Sequence, residues 1–152
     1  MVTLTIKDGS LSLAEMRAAL RTPIRAELDQ DCRNRVEASA ATVDSVLKDG
    51  KTVYGINTGF GSLAQKLIEP DKLAELQRNL VLSHASGIGS LLDDGVVRLI
   101  LLLKINSLAR GYSGIRMQTL QHMLALLEAD ALPCIPAKGS VGASGDLAPL
   151  AH

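Results

Sequence analysis

Residues 92–110 constrain the possible folds more than any other stretch of this sequence. They form an almost continuous apolar run with Asp93 and Asp94 at its start, and carboxylates at the start of a helix interact favourably with the helix dipole. A helix with so few polar residues is buried on most sides, either in a helix bundle or at a subunit interface. The run therefore predicts a mainly α-helical fold. We expect four residues of this helix to face the core: Leu99, Leu102, Leu103 and Asn106.

Shorter periodic segments complete the helical prediction. Apolar residues three or four positions apart indicate helices, whereas strict alternation of apolar and polar residues indicates strands. Ser12 and Glu15 have the spacing of a capping box at a helix start, and Gly87 and Gly111 are typical of helix ends. Ser113 is suited to capping the helix that follows it. Helices are predicted over residues 12–21, 31–48, 70–85 and 114–129, and short strands over residues 2–6 and 24–28.

The composition argues against several classes of function. The 152 residues include 16 basic and 16 acidic side chains and only 2% aromatic residues, which argues against a nucleic-acid-binding surface. The N-terminus has no basic start followed by an apolar run, and Arg98 and Lys104 interrupt the most apolar stretch, so we expect neither a secretory signal nor a membrane span. Cys32 and Cys134 lack metal-ligand spacing and are interpreted as reduced thiols. We expect a cytoplasmic protein without a metal.

Residues 139–146, Gly-Ser-Val-Gly-Ala-Ser-Gly-Asp, carry the most specific chemistry. Their glycines allow backbone conformations and close approaches that a Cβ would block. The amide nitrogen of Gly145 can reach the carbonyl carbon of Ala143, and this ring closure would expel one water. Loss of a second water from Ser144 would leave an exocyclic methylene conjugated to the imidazolone ring, which is a strong electrophile. Ala-Ser-Gly is a common tripeptide, so a plain glycine loop is the alternative on these residues alone. The segment does not fit a phosphate-binding loop, a dinucleotide fingerprint or a hydrolase nucleophile elbow.

A longer match makes this segment specific. Residues 139–152, GSVGASGDLAPLAH, closely resemble the signature of the histidine and phenylalanine ammonia-lyase family. The resemblance implies that the tripeptide cyclises autocatalytically to 4-methylideneimidazol-5-one (MIO), with no metal or nucleotide cofactor. It assigns catalytic roles to Ala143, Ser144 and Gly145. Gly142 and Asp146 would support them, the carboxylate by ordering the loop or tuning the ring.

A second glycine-rich segment, residues 54–61, reads Tyr-Gly-Ile-Asn-Thr-Gly-Phe-Gly. From the residues alone, a tight turn with a buried Tyr54 and Phe60 is the simpler interpretation. The segment also resembles the mobile active-site loop of the same family, in which the tyrosine performs acid–base chemistry, and this implies a catalytic Tyr54 and a supporting Gly61. A phenol has an unperturbed pKa of about 10, so a base near neutrality needs a neighbour that lowers it.

His84 stands at the end of an apolar stripe formed by Leu73, Leu76 and Leu80. A lone histidine in such a place is more often a packed or capping residue than a ligand. In the family, the matching position meets the ring of the substrate, which implies that His84 binds substrate. An imidazole can hydrogen-bond to another imidazole or to a phenol, so His84 favours histidine over phenylalanine. The preceding Ser83 is closer to the histidine enzymes than to the tyrosine enzymes, which tend to have His-Leu.

The resemblance implies an enzyme of histidine catabolism that converts L-histidine to urocanate and ammonia, and that works as a homotetramer binding neither nucleic acid nor membrane. A tyrosine or phenylalanine ammonia-lyase, or an aminomutase with the same group, is the alternative. Because the sequence stops at the start of a helix after Pro149, we expect residues 1–152 to be the N-terminal, MIO-loop portion of a longer lyase. A second hypothesis treats the isolated chain as a catalytically incompetent helical fragment, since most of the remaining site residues would be absent.

Overall fold

The computed structural model describes residues 2–8, 10–59, 66–139, 141–142 and 145–152. This part of the chain is mainly helical, as predicted, with short strands between the helices. The elements in chain order are β1 (Val2–Ile6), α1 (Leu13–Arg21), β2 (Ile24–Leu28), α2 (Gln30–Lys48), a 3-10 turn (Pro70–Lys72), α3 (Leu73–His84), β3 (Ile88–Leu91), α4 (Asp94–Leu108), α5 (Met117–Glu128), β4 (Pro136–Lys138), β5 (Val141–Gly142), β6 (Gly145–Asp146) and α6 (Ala148–Ala151).

These elements belong to two compact units. The first unit comprises Met1–Thr42 and Leu92–Pro133, and the second comprises Val43–Leu91 and Cys134–His152. The main cluster of buried apolar side chains lies entirely in the first unit. Every residue that the sequence analysis assigned to the active site falls within the second unit.

The first unit contains the two predicted strands. β1 and β2 pair in parallel, with a register that runs from Val2 opposite Ile24 to Ile6 opposite Leu28. Alternate residues of both strands are buried, because the period of two sends one side of each strand to the core. α1 connects the strands, and α5 packs against β2. Both strand predictions are confirmed.

The predicted capping box at the start of α1 is also present. The Ser12 hydroxyl accepts a hydrogen bond from the Glu15 backbone N–H at 3.3 Å, and the Ser12 backbone N–H donates to Glu15 Oε2 at 2.7 Å. These bonds satisfy backbone groups that have no partner inside the helix. Hydrogen bonds from Ser12 also hold the pKa of the Glu15 carboxyl below its usual value.

Replacing Ser12 with alanine is expected to lower the free energy of unfolding by about 1 kcal/mol, because the cap of α1 is lost. The Glu15 pKa is lowered in the folded state, so the carboxylate stabilises the fold above its unfolded-state pKa and loses this effect as the pH falls through the folded-state pKa. Urea denaturation at pH 7 and at pH 3 measures the stability lost with the cap and the part of it that depends on the Glu15 charge. The difference between wild type and Ser12→Ala should be smaller at pH 3, whereas an equal difference at both pH values would contradict the role of the Glu15 charge.

α4 forms the apolar centre of the first unit, as its sequence predicts, but its buried face differs from the expected one. Leu102 is fully buried, Leu99 and Asn106 are partly buried, and Leu103 is 38% exposed, so the prediction for Leu103 is wrong. The buried residues of this helix are Val97, Arg98, Leu101, Leu102, Ile105 and Leu108. In the described part of the chain, no helix is long and apolar enough to span a membrane.

Arg98 is a charged residue on the buried face of α4, and only 6% of it is exposed. Its Nε donates to Asp130 Oδ1 at 2.6 Å, and a terminal guanidinium nitrogen donates to Asp130 Oδ2 at 3.0 Å. The other terminal nitrogen donates to the Ala19 carbonyl at 3.1 Å. The guanidinium holds the pKa of Asp130 below its usual value. This side chain therefore ties α4 to the end of α1 and to the residues that follow α5.

The loop between α4 and α5 is anchored on α2. Gly111 has a φ of +78°, and a Cβ on it would lie 2.7 Å from the Arg35 carbonyl carbon, so both its conformation and its position require glycine. The Gly114 backbone N–H donates to the Ser39 hydroxyl at 2.9 Å. The prediction that Gly111 caps the end of α4 is wrong, because Ala109 holds that position and Gly111 lies two residues beyond it. Ser113 does not cap α5 either. That helix begins later, with Arg116 at the N-cap position.

Candidate active site

The second unit contains two glycine-rich segments and His84. Of the predicted site residues, Tyr54, His84, Gly142, Gly145 and Asp146 lie within the described residues. Three others lie outside them: Gly61, Ala143 and Ser144. The described part of the candidate site therefore consists of the residues on either side of positions 143 and 144, together with the segments that pair with them or pack against them.

The tripeptide is flanked by a short antiparallel strand pair. β5 and β6 pair so that Val141 lies opposite Asp146 and Gly142 lies opposite Gly145. Only two sequence positions separate the strands. Glycines at the paired ends of the strands accept backbone conformations and close approaches that a Cβ would block. This pairing draws the two ends of the tripeptide region towards each other.

Both flanks of this strand pair are joined to the segment around His84. β4 precedes it in sequence and pairs antiparallel with β3, with Ile88 opposite Lys138 and Leu91 opposite Pro136. α6 follows it and packs against α3, the helix that ends at His84. This frame was not predicted from the sequence, because the pairing partners are far apart in the chain and no local pattern identifies them.

Gly87 lies where these segments meet. Its backbone N–H donates to His152 Nε2 at 2.9 Å. A Cβ on Gly87 would lie 2.9 Å from that nitrogen and 3.1 Å from the Pro136 side chain, so glycine is needed for close packing. The predicted role of Gly87 as the helix stop is wrong. α3 ends at His84 with Ala85 as its C-cap, whose N–H bonds to the Val81 carbonyl, and Gly87 lies beyond the helix.

His84 occupies the last position of α3 and is partly buried. Its Nδ1 lies 2.7 Å from the Leu80 carbonyl oxygen and 3.1 Å from the Ser83 hydroxyl oxygen. The Ser83 hydroxyl donates to the same carbonyl at 3.0 Å. Leu73, Leu76 and Leu80 are partly buried on one face with His84, so the predicted stripe is confirmed.

Tyr54 lies in a turn at the start of the other glycine-rich segment, next to Gly55, whose φ is +77°. Its side chain is 63% exposed, so the interpretation of Tyr54 as a buried core aromatic is wrong. Phe60, the other aromatic of that interpretation, lies outside the described residues.

Two buried polar residues fix the shape of the Tyr54 turn. Asn57 is 4% exposed, and its side chain accepts from the Val53 N–H and donates to the Lys51 carbonyl, both at 2.8 Å. Thr58 is 1% exposed, and its hydroxyl accepts from the Gly55 N–H at 3.3 Å. Neither residue was predicted from the sequence. Short polar side chains between glycines commonly bond to turn backbone, which is the signal that would have identified them.

Backbone hydrogen bonds also hold the end of the Tyr54 turn. Thr58 pairs with Leu67 in an isolated antiparallel bridge, and the Ile68 N–H donates to the Asn57 carbonyl at 2.9 Å. The Gly59 N–H donates to the Lys66 carbonyl at 3.3 Å. The turn that carries Tyr54 is thus held by side-chain bonds from within and by backbone bonds to residues 66–68.

Comparison with known proteins identifies the family of the chain. The sequence profile of the family described as aromatic amino acid lyase matches residues 11–152. The chain belongs to this family. The histidine ammonia-lyase of Vibrio cholerae serotype O1 is 55% identical to it over 152 residues, which are 100% of this chain and 30% of that protein.

Solved structures of the family share the fold. The crystal structure of histidine ammonia-lyase from Trypanosoma cruzi matches 99% of this chain and 28% of its own chain, with a TM-score of 0.86 and 36% identity. Tyrosine aminomutase from Streptomyces globisporus matches 99% of this chain and 28% of its own, with a TM-score of 0.91 and 28% identity. The chain spans 29–30% of the length of the curated relatives that it matches.

Proposed function

We propose that the chain is the N-terminal, MIO-loop part of a histidine ammonia-lyase, which converts L-histidine to urocanate and ammonia. The observation that carries the proposal is the frame of the second unit. It joins the segment after His84 to both flanks of the Ala-Ser-Gly tripeptide, through β3 with β4 and through α3 with α6. This frame supports a site in which a side chain that can recognise a ring acts together with a tripeptide that can supply an electrophile.

The residues present fit the MIO group that the family implies. Ala143 offers the carbonyl, Gly145 an unhindered amide nitrogen and Ser144 a hydroxyl that can leave. The pairing of Gly142 with Gly145 supports the compression that such a cyclisation requires. When formed, the group supplies a strong electrophile that the ordinary side chains lack.

The other residues bind the substrate and handle its protons. His84 hydrogen-bonds to the imidazole of the substrate and so fixes the ring. Tyr54 exchanges a proton with the substrate at its Oη, as the β-proton and the amine leave. Gly61 lets the Tyr54 loop approach the substrate closely, and Asp146, paired with Val141 across the strands, orders the loop.

The assembly and location follow from the same proposal. In the full-length enzyme, the chain would form part of a cytoplasmic homotetramer in which other segments complete each site. The chain spans only 29–30% of the length of its curated relatives, so residues 1–152 alone are expected to show little or no lyase activity. The aminomutase alternative is supported by the fold shared with tyrosine aminomutase. It differs in its product, which would be a β-amino acid.

The test is to express the full-length protein that contains this chain and to supply L-histidine, L-tyrosine and L-phenylalanine separately. We expect release of ammonia and the ultraviolet absorbance of urocanate with L-histidine, and much lower turnover of the other two. Formation of β-histidine would favour the aminomutase, and turnover of phenylalanine or tyrosine but not histidine would contradict the proposal. The purified 152-residue chain is the control, and steady urocanate formation by it would refute its predicted inactivity.

A further inference from the structure

The contacts of His84 within its own helix determine where its ring carries hydrogen. Nδ1 is 2.7 Å from the Leu80 carbonyl oxygen, and a carbonyl oxygen can only accept a hydrogen bond. Nδ1 must therefore be the N–H of the neutral imidazole. In the opposite tautomer, two lone pairs would face each other at this distance.

Ser83 favours the same tautomer. Its hydroxyl hydrogen is directed at the Leu80 carbonyl, 3.0 Å away, so the hydroxyl oxygen presents a lone pair to His84 Nδ1 at 3.1 Å. The Nδ1–H is thus shared between two acceptors, one from the backbone and one from a side chain. Loss of the Ser83 hydroxyl would remove one of the two contacts that oppose the alternative tautomer.

A neutral imidazole with hydrogen on Nδ1 has a bare lone pair on Nε2. Among the residues that the structure describes, no hydrogen-bond partner of His84 Nε2 is found. The Nδ1–H of His84 is therefore engaged in hydrogen bonds within α3, whereas Nε2 can accept a hydrogen bond from a ligand.

We propose that Ser83 and the Leu80 carbonyl are positioning groups that fix His84 as a hydrogen-bond acceptor, so that the site selects amino acids whose ring carries a donor. This inference rests on the proposed function and deepens it, because it states that the substrate ring must supply the hydrogen-bond donor. An azole N–H meets the requirement. A ring of the same size that has a nitrogen but no N–H does not.

The tautomer can be measured on the 152-residue chain without any substrate. The chain has three histidines, so ring-¹⁵N labelling gives three pairs of signals, and His84→Gln assigns the pair of interest. For neutral His84 we expect a pyrrole-type shift at Nδ1 and a pyridine-type shift at Nε2. The reverse pattern, or the averaged shifts of a free imidazole, would overturn the inference.

Ser83→Ala tests the positioning role, with Ser86→Ala as the matched control. Ser86 is exposed, and it contacts His84 through its backbone N–H, which donates to the His84 carbonyl at 2.8 Å and survives the substitution. In Ser83→Ala we expect a severalfold larger fraction of the Nε2–H tautomer, and in Ser86→Ala no change. Unchanged ring shifts in Ser83→Ala, with helicity preserved by circular dichroism, would remove Ser83 from the proposal.

The substrate requirement is tested in the full-length enzyme with 4-thiazolylalanine, a five-membered-ring analogue of histidine without an N–H. We expect its kcat/KM to be about tenfold below that of histidine, because one hydrogen bond is lost. In Ser83→Ala, the ratio of kcat/KM for histidine to kcat/KM for 4-thiazolylalanine should be smaller than in the wild type, mainly because the KM for histidine rises. Equal kcat/KM for both substrates in the wild type would overturn the inference. No turnover of histidine at all would instead contradict the proposed function, while the ring shifts would still decide the tautomer.

Discussion

Arg98→Met is expected to lower the free energy of unfolding by about 2 kcal/mol, because it removes the cation and the hydrogen bonds that the partly buried Asp130 carboxylate has in the folded state. Arg98 donates to both oxygens of Asp130, at 2.6 and 3.0 Å, and its side chain is only 7% exposed. The substitution also removes the bond to the Ala19 carbonyl. Urea denaturation of the chain at pH 7 measures the loss.

Arg25→Met is the matched control, because Arg25 also pairs with carboxylates, those of Glu27 and Glu128, but is about half exposed at 49%. Water screens such a pair, so we expect a loss of about 0.5 kcal/mol or less. The double variant Arg98→Met with Asp130→Asn should recover part of the stability, since the unpaired charge is removed. Equal losses in the two single arginine variants would contradict the importance of burial.

The same pair predicts a pH dependence. The Arg98 guanidinium lowers the pKa of Asp130 in the folded state, so the pair stabilises the fold above the unfolded-state pKa of aspartate, about 3.9. The stabilisation is lost as the pH falls through the folded-state pKa. The gap between wild type and Arg98→Met should therefore shrink between pH 5 and pH 2.

Ser144→Ala is expected to reduce histidine turnover by the full-length enzyme on the order of a thousandfold or more, since an essential electrophile cannot form. Alanine has no β-hydroxyl to lose, so the exocyclic methylene cannot arise. The rate of urocanate formation measures the loss of turnover. The intact mass shows whether the electrophile has formed, because the wild-type peptide that contains residues 143–145 should lack two water molecules and the variant peptide should not.

Ser140→Ala is the control for the glycine-rich loop. It removes a hydroxyl four positions earlier in the same segment and should keep both the mass deficit and the turnover. If Ser144→Ala kept wild-type turnover, the reactive group would not come from this tripeptide, and the proposed chemistry would be wrong.

Local signals in the sequence were sufficient to predict most of the described elements. The Ser12–Glu15 spacing located the start of α1, and alternation located β1 and β2, because these features depend on neighbouring residues alone. The prediction for Leu103 failed because a helix that is apolar all round offers no contrast from which to choose its buried face. Ser113 was misjudged because the contact that holds its loop, from Gly114 to Ser39, spans 75 residues.

The candidate site was predictable as a set of motifs but not as an arrangement. The Ala-Ser-Gly tripeptide, Tyr54 and His84 were identified from residue types and from a family resemblance. The pairing of β3 with β4 and the bond from Gly87 to His152 join distant parts of the chain, and no periodicity encodes them. Asn57 and Thr58 were overlooked because their importance lies in bonds to backbone within a turn, which only the structure shows.

The bond between Gly87 and His152 spans 65 residues, and this separation sets an order of events during synthesis. Loop closure over that distance must wait until the later segment has left the ribosome, so the frame around the tripeptide assembles late. A cyclisation that depends on this frame could begin only afterwards. Because the loss of two waters is a covalent change, the mass deficit would persist after denaturation. It would therefore report the fraction of molecules that had once folded correctly.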